Sequence, residues 1–321
     1  MKKFISVVMS VMMVCMMLLS VSTDSSLVEG DSGDISSYET SETLVSKNME
    51  TGEISYKTYY YDETSASSSL ETYSTESWFP NVSDTVLVST SFNGGISTNG
   101  VIGSDGRSKV SDTEVEPYSA ICYVESTWSD GSVSCGTAFI IYSDVALTAA
   151  HMVYDADLGE WAEEVKLWPG KDGYGFWNNP YGTTTASNMV VSKSWTSSEA
   201  DDYDWAILDL EDSIGDETGW FGISTSVSSG TSVTISGYPY DYRYYQYKMS
   251  GTLSSVETRK LYYSIDTSEG QSGSPIYRAT TSGYTAYGIH TTVELENGEV
   301  VENSGARITS QLYEYCVEHM G

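Results

Sequence analysis

Residues 270–275, Gly270-Gln271-Ser272-Gly273-Ser274-Pro275, lie between the strand-like run Leu261-Tyr262-Tyr263-Ser264-Ile265 and the apolar pair Ile276-Tyr277. Two glycines bracketing a serine let the backbone turn sharply without the penalty of a Cβ, so the hydroxyl is presented and nearby N–H groups aim at one point. Acyl transfer asks that of a nucleophile, and Ser272 is the candidate. The same residues also suit a plain Ser/Gly turn between strands, in a chain with 28 glycines. The remaining sequence has to choose.

Outward from this turn, the runs 120–124, 137–142, 145–148, 165–168, 205–208 and 233–236 are short and rich in β-branched and aromatic residues. Clusters of Gly, Asp, Asn and Ser separate them, which predicts an all-β domain over 100–321. The end differs. Ile308, Leu312, Tyr315, Cys316 and Met320 recur at helical spacing, with Ser310 near the start, so 308–320 is expected to be an amphipathic helix.

The chain has three histidines, His151, His290 and His319. His319, at the chain end, reads as a surface residue. His151 follows the apolar run 145–150, which leaves an imidazole at a strand end among small residues. Asp204 directly precedes the apolar strand Trp205-Ala206-Ile207-Leu208, whereas Asp201 and Asp202 stand before Tyr203 in what reads as a solvated loop. His, Asp, Ser is one of the chain orders in which a hydrolytic triad is built. An α/β-hydrolase elbow is excluded: it needs Gly where Ser274 stands, and its histidine follows the serine.

Thr148-Ala149-Ala150-His151, Asp204-Trp205-Ala206-Ile207 and the opening hexapeptide resemble the three active-site motifs of chymotrypsin-fold serine proteases. Val101-Ile102-Gly103-Ser104-Asp105, Ile235-Ser236-Gly237-Tyr238-Pro239 and Gly288-Ile289-His290-Thr291 are similar to the glutamyl endopeptidase (V8-like) branch, and the resemblance runs from about Gly100 to the C-terminus. It implies two six-stranded antiparallel β-barrels of chymotrypsin type, over about 100–214 and 215–307, then the helix. It also implies a catalytic triad of His151, Asp204 and Ser272, an oxyanion hole from the N–H groups of Gly270 and Ser272, and a substrate pocket of Thr267, His290 and Thr291. Cleavage after Glu, with Asp weaker, follows from that pocket. A histidine and a hydroxyl donate to a carboxylate, whereas a pocket for cationic side chains needs a buried acid.

The N-terminus gives the compartment. Met1-Lys2-Lys3 precedes an apolar run from Phe4 to Leu19, too short for a membrane span, and Ser20-Val21-Ser22 offers small residues for cleavage near Ser22. Residues 1–22 are therefore expected to be a signal peptide and the product secreted. A lipoprotein reading of Cys15 fails on Val14, where a small residue is needed. From Thr23 to Asn99, Ser, Thr, Glu and Tyr dominate, so 23–99 is expected to be a largely flexible pro-segment, with a strand hinted at by the alternation in 55–61. Asn93-Gly94-Gly95 and Asn99-Gly100 are loop chemistry open to a processing protease. In the family resembled, the new amino group helps neutralise the substrate carboxylate, which places the mature N-terminus at Gly100 or Val101.

With 45 acidic and 15 basic residues the chain carries −30, which repels phosphates and excludes a nucleic-acid function. Expected partners are protein or peptide substrates with acidic residues, with no membrane partner and a monomeric state. Cys122, Cys135 and Cys316 fit no zinc spacing, and neither a metal nor a cofactor is expected. They allow one disulfide with three possible pairings. The family resembled often bridges a cysteine at the place of Cys135 to one where Met152 stands, so Cys122 with Cys135 is the favoured substitute. A narrow-specificity, toxin-like protease and a catalytically silent protease-like binding protein are the alternatives; the second fits poorly, because no triad residue is missing.

Overall fold

The computed structural model describes residues 40–61, 72–80, 100–297 and 299–321. The signal peptide expected over 1–22 and the processing loop expected over 93–99 lie outside them.

Six strands build the first barrel: β3 (Ile121–Thr127), β4 (Val133–Tyr142), β5 (Val145–Thr148), β6 (Glu164–Pro169), β7 (Thr184–Ser192) and β8 (Ala206–Leu210). Neighbours run β8-β5-β4-β3-β6-β7, and β7 pairs back onto β8 to close the ring. Closure removes sheet edges and turns the apolar faces inward. Phe139, Ile140, Leu147, Leu167, Met189 and Ile207 are all fully buried. Each contributes roughly 1.5–3 kcal/mol by leaving water.

The second barrel repeats the plan with β9 (Ser232–Gly237), β10 (Tyr247–Val256), β11 (Lys260–Tyr263), β12 (Pro275–Thr280), β13 (Gly283–Glu296) and β14 (Glu299–Arg307). The order is β13-β12-β9-β10-β11-β14, closed through β13 and β14. Val233, Ile235, Leu253, Leu261 and Ile276 form its core. The expected fold of two six-stranded antiparallel barrels is the one observed.

The terminal helix spans Ser310–His319 and is capped by Thr309, whose hydroxyl accepts from the Leu312 N–H at 3.1 Å. Leu312, Tyr315 and Cys316 are buried, and they join the core of the first barrel. The helix therefore ties the end of the second barrel back to the first.

Three expectations differ from the structure. Residues 23–99 are not flexible throughout: β1 (Thr40–Asn48) and β2 (Ile54–Tyr61) form a hairpin whose first strand pairs with β7. The strand hinted at over 55–61 is β2. Second, the start of the domain belongs to the second barrel, since Lys109 pairs with Tyr247 and the Val110 N–H donates to Gln246 O at 2.8 Å. Third, Cys122, Cys135 and Cys316 are all free thiols. The ladder sets Cys122 opposite Ala138 and Cys135 opposite Glu125. Three rungs of about 3.3 Å separate the two, beyond disulfide reach.

Replacing the helix cap by Thr309→Ala is expected to cost about 1 kcal/mol, read as a lower midpoint in urea unfolding.

Candidate active site

His151 sits in a single helical turn, Ala150–Met152, immediately after β5. Its backbone N–H donates to Asp204 Oδ1 at 3.0 Å, and its Nδ1 lies 2.8 Å from Asp204 Oδ2. One carboxylate thus fixes both the turn and the ring. Asp204 is 6 % exposed, held just before β8, while Asp201 and Asp202 are exposed in the preceding turn, as expected. Burial pulls the His151 pKa down, but the Asp204 charge and hydrogen bond outweigh it and hold the imidazole above its ordinary value. With Nδ1–H donating to Asp204, Nε2 is the nitrogen left to accept a proton.

The serine turn is seated on the first barrel. Thr137 on β4 donates its N–H to Ser272 O and its hydroxyl to Gly270 O, both at 2.9 Å, and accepts the Tyr238 N–H at 3.0 Å. The Thr148 hydroxyl, three residues before His151, donates to Thr137 O at 2.7 Å. Gly270 and Gly273 have φ of 88° and 90°. A Cβ on Gly273 would lie 1.8 Å from Thr137 O and 2.4 Å from Thr148 Oγ1; one on Gly270 would lie 2.5 Å from Tyr238 O. Only glycine fits either place, and this close approach brings the Ser272 turn against the strand end that carries His151. Within the turn, Gln271, Gly273 and Ser274 spend their N–H groups on Ser268, His290 and Gln271 carbonyls. Among the described residues no hydrogen bond uses the N–H of Gly270 or Ser272, which leaves both available to an oxyanion.

The residues expected to form the pocket lie on two segments, His290 and Thr291 on β13 and Thr267 in the stretch after β11. His290, 3 % exposed, lies on β13, and its Nδ1 is 2.6 Å from Tyr263 Oη and 3.2 Å from Ser304 O. Tyr263 also donates to Ser304 O at 3.0 Å. Burial is the main cause that drives the His290 pKa down to about 4. Thr291 sits where the β13–β14 register slips between His290 and Thr292, a bulge that re-aims a side chain. The buried hydroxyls of Thr267 and Thr291 have no hydrogen-bond partner among the described residues. Ser268 is separated from Thr267 by its contacts: its hydroxyl bonds Asp241 and Arg107.

Sequence reasoning missed Thr137, Tyr263, Asp266 and Arg107. Asp266 is buried beside Thr267, but its oxygens accept the N–H groups of Ile102 at 2.8 Å and Gly106 at 2.7 Å. Arg107 is almost fully enclosed; it pairs with Asp105 and Asp241 and donates to Ser268 Oγ at 2.8 Å and Gln271 Oε1 at 3.2 Å. The Asp105-Gly106-Arg107 loop was the available signal.

The trypsin family model matches residues 106–311. The glutamyl endopeptidase of Bacillus licheniformis is 36% identical over 222 residues, 67% of this chain and 67% of that protein. A Bacillus subtilis protein named extracellular metalloprotease is 35% identical over 219 residues, 66% and 67% of the two chains. A solved Glu endopeptidase in complex with MPD superposes with a TM-score of 0.61 at 29% identity, covering 68% of this chain and 99% of its own. The metal that the second name implies finds no fit here: among the described residues no group of three or more His, Cys, Asp or Glu could hold one.

Asp204→Asn is expected to lower kcat by ~10⁴ through the wrong tautomer. Because proton acceptance needs neutral His151, kcat/KM should fall as pH drops through a pKa above the ordinary value of about 6.5, and the variant should move that acid limb to lower pH. Thr137→Val leaves the Gly270 carbonyl and the Tyr238 N–H buried without a partner. The expected loss is about 1–3 kcal/mol for each group in urea unfolding, with a lower kcat, both largely recovered by Thr137→Ser.

Proposed function

The chain belongs to the trypsin family of serine proteases, and from that premise we propose a secreted endopeptidase, made as a zymogen, that hydrolyses peptide bonds after Glu and less well after Asp. Ser272 Oγ attacks the scissile carbonyl carbon as His151 Nε2 takes its proton. The carbonyl oxygen becomes an oxyanion facing the N–H groups of Gly270 and Ser272. Collapse breaks the C–N bond, and the imidazolium returns the proton to the leaving amine. Water, deprotonated by His151, then cleaves the acyl-enzyme ester and regenerates the serine. Asp204 stabilises the imidazolium formed in both halves.

The observation that carries the Glu reading is the buried Tyr263–His290–Ser304 arrangement beside two unpartnered threonine hydroxyls. Ser304 O only accepts, and Tyr263 donates to it; the 2.6 Å contact then takes the His290 Nδ1–H onto Tyr263 Oη. Nε2 is left for the pocket. A carboxylate brought against it supplies the counter-charge that burial denies the ring, so substrate binding draws a proton onto His290. Thr267 and Thr291 add hydroxyl donors. Asp266 is the acid that a Lys- or Arg-directed pocket would use, and both its oxygens are occupied by backbone N–H groups.

The zymogen reading rests on Gly100. Its carbonyl accepts the Thr267 N–H at 3.0 Å and Asn303 Nδ2 at 2.7 Å, so the residue at the expected processing point lies against the pocket. Cleavage there, before Gly100 or Val101, sets a new amino group beside Thr267. The export reading rests on the N-terminal run. Among the described residues no helix is long and apolar enough to cross a membrane.

Processed protein assayed on peptides differing only in Glu, Gln, Asp or Lys at one position should favour Glu. His290→Ala should lower kcat/KM for the Glu peptide by roughly 10–100-fold and leave the Gln peptide nearly unchanged, the scale of a hydrogen bond to a charged group. Equal cleavage of Glu and Gln peptides by the wild type would sink the pocket assignment. Wild-type turnover in Ser272→Ala would remove Ser272 from the mechanism.

A further inference from the structure

We propose that the N-terminal segment stays bound after the processing cut, so that the active enzyme is a two-chain, non-covalent complex of the segment and the 100–321 body. This rests on the zymogen reading. The segment grips the body at two separate places. The hairpin adds β1 to the first barrel, with Leu44–Asn48 in register against Ser192–Asn188 and the Met49 N–H on Ser187 O at 2.8 Å. Leu44 and Val45 are each 4 % exposed, and Lys47 donates to Ala162 O at 3.0 Å. On the second strand, Tyr59 and Tyr61 pack on Tyr315 of the terminal helix, and Lys57 pairs with Glu318. Buried Glu42 is met by Tyr315 Oη at 3.3 Å and Arg259 at 3.8 Å.

The second grip lies on the body's stretch 220–225. Thr75 N–H donates to Ile223 O at 2.9 Å, Trp78 N–H to Trp220 O at 3.1 Å, and Trp220 N–H back to Trp78 O at 2.6 Å. The body is shaped for this strand. A Cβ would lie 2.3 Å from Phe79 on Gly219, 2.4 Å from Thr75 O on Gly222 and 2.0 Å from Ser77 Oγ on Gly283. Three glycines of the mature body thus make room for one stretch of the segment. Nothing in the catalytic chemistry asks for them.

These contacts survive a cut at Asn99–Gly100, because none of them depends on the chain being continuous there. Both grips must open together for release, and two linked contacts exceed either alone by a factor on the order of 10²–10⁴. Departure would also strip β1 from β7 and leave an unpaired strand rim over Leu44's and Val45's apolar seat. None of the hydrogen bonds made by the described residues 40–61 and 72–80 reaches His151, Ser272, Thr267 or His290.

The test uses the full chain carrying Ser272→Ala, to prevent self-digestion, with the recognition sequence of a site-specific protease inserted between Asn93 and Gly94. After cutting, both fragments should elute as one species in gel filtration at 1 μM or below, which corresponds to a Kd under about 1 μM, and separate only in denaturant. Hydrogen exchange on the cut complex should show 40–61 and 72–80 protected. Fragments that elute apart, or that exchange fully, overturn the proposal. Leu44→Asp with Val45→Asp should release the segment from the cut protein; undiminished co-elution of that variant would overturn the assigned interface. N-terminal sequencing of active secreted wild type separates the two readings. A start at Thr23 alone contradicts the zymogen, whereas the engineered cut reports on association whatever that start is.

Discussion

Thr137 is fully buried on β4 and spends its N–H, its hydroxyl and its carbonyl on different segments. The first two hold the Ser272 and Gly270 carbonyls, the hydroxyl also receives Tyr238, and the carbonyl receives Thr148. Tyr238 ends the β9 region of one barrel; Thr148 ends β5 of the other. The seam between barrels and the position of the nucleophile are therefore one set of bonds. Any shift of one barrel past the other breaks buried polar pairs that water cannot replace, at a cost of kcal/mol for each. Gly273 enforces the same closeness sterically, since the space a side chain would need is filled by Thr137 O. Precision at the site comes from the barrel rather than from the loop.

How much of this was legible in the sequence follows from how local each signal is. The bracketing glycines, the apolar strands and the motifs around His151, Asp204 and Ser272 each reside in a few adjacent residues; the strands form, His151 pairs with Asp204, and the Ser272 turn is seated on Thr137. The terminal helix was legible by its period, and its cap is Thr309, one residue before the Ser310 noted near its start. Thr137 was read only as part of a strand, because its partners lie 133 and 101 residues away. The hairpin was obscured by composition: β2 carries its tyrosines and lysine on largely exposed positions, and its order comes from pairing with β1 and from the helix it touches. The Cys122–Cys135 bridge failed on register, which no count of cysteines contains.

A chain of net charge −30 with the proposed preference for an acidic side chain must solve an electrostatic problem locally. Screening over roughly 8–10 Å makes the distant surface charge weak, so the groups lining the pocket decide. Arg107 does not serve as the counter-charge, since Asp105 and Asp241 both pair with it and together outweigh it. Its function is mechanical: it holds Ser268 and Gln271, the residues that lead into Ser272. Asp266 would repel a carboxylate, and the N–H groups of Ile102 and Gly106 absorb its charge. Asp105, Asp241 and Asp266 are thus each tied to donors from the 102–107 stretch, and in the proposed pocket His290 and the threonine hydroxyls are left to meet the substrate.

That stretch begins at Gly100, and its position bears on what processing can change. Gly100 has a φ of 97°, and a Cβ there would lie 2.6 Å from Thr267 Oγ1 and 2.7 Å from Thr267 O. The residue is seated before any cut, with its carbonyl on Thr267 N–H and Asn303 Nδ2. The pocket wall is accordingly formed in the uncut chain, and no large rearrangement is needed to build it. A cut before Gly100 keeps the carbonyl in place and adds a positive charge beside it. A cut after Gly100 instead turns that carbonyl into the terminal carboxylate of the segment and sets the new ammonium on Val101 beside it. In either case the change at the pocket is one of charge and donors, imposed on a backbone that the two barrels and the Asp266 and Arg107 contacts already hold.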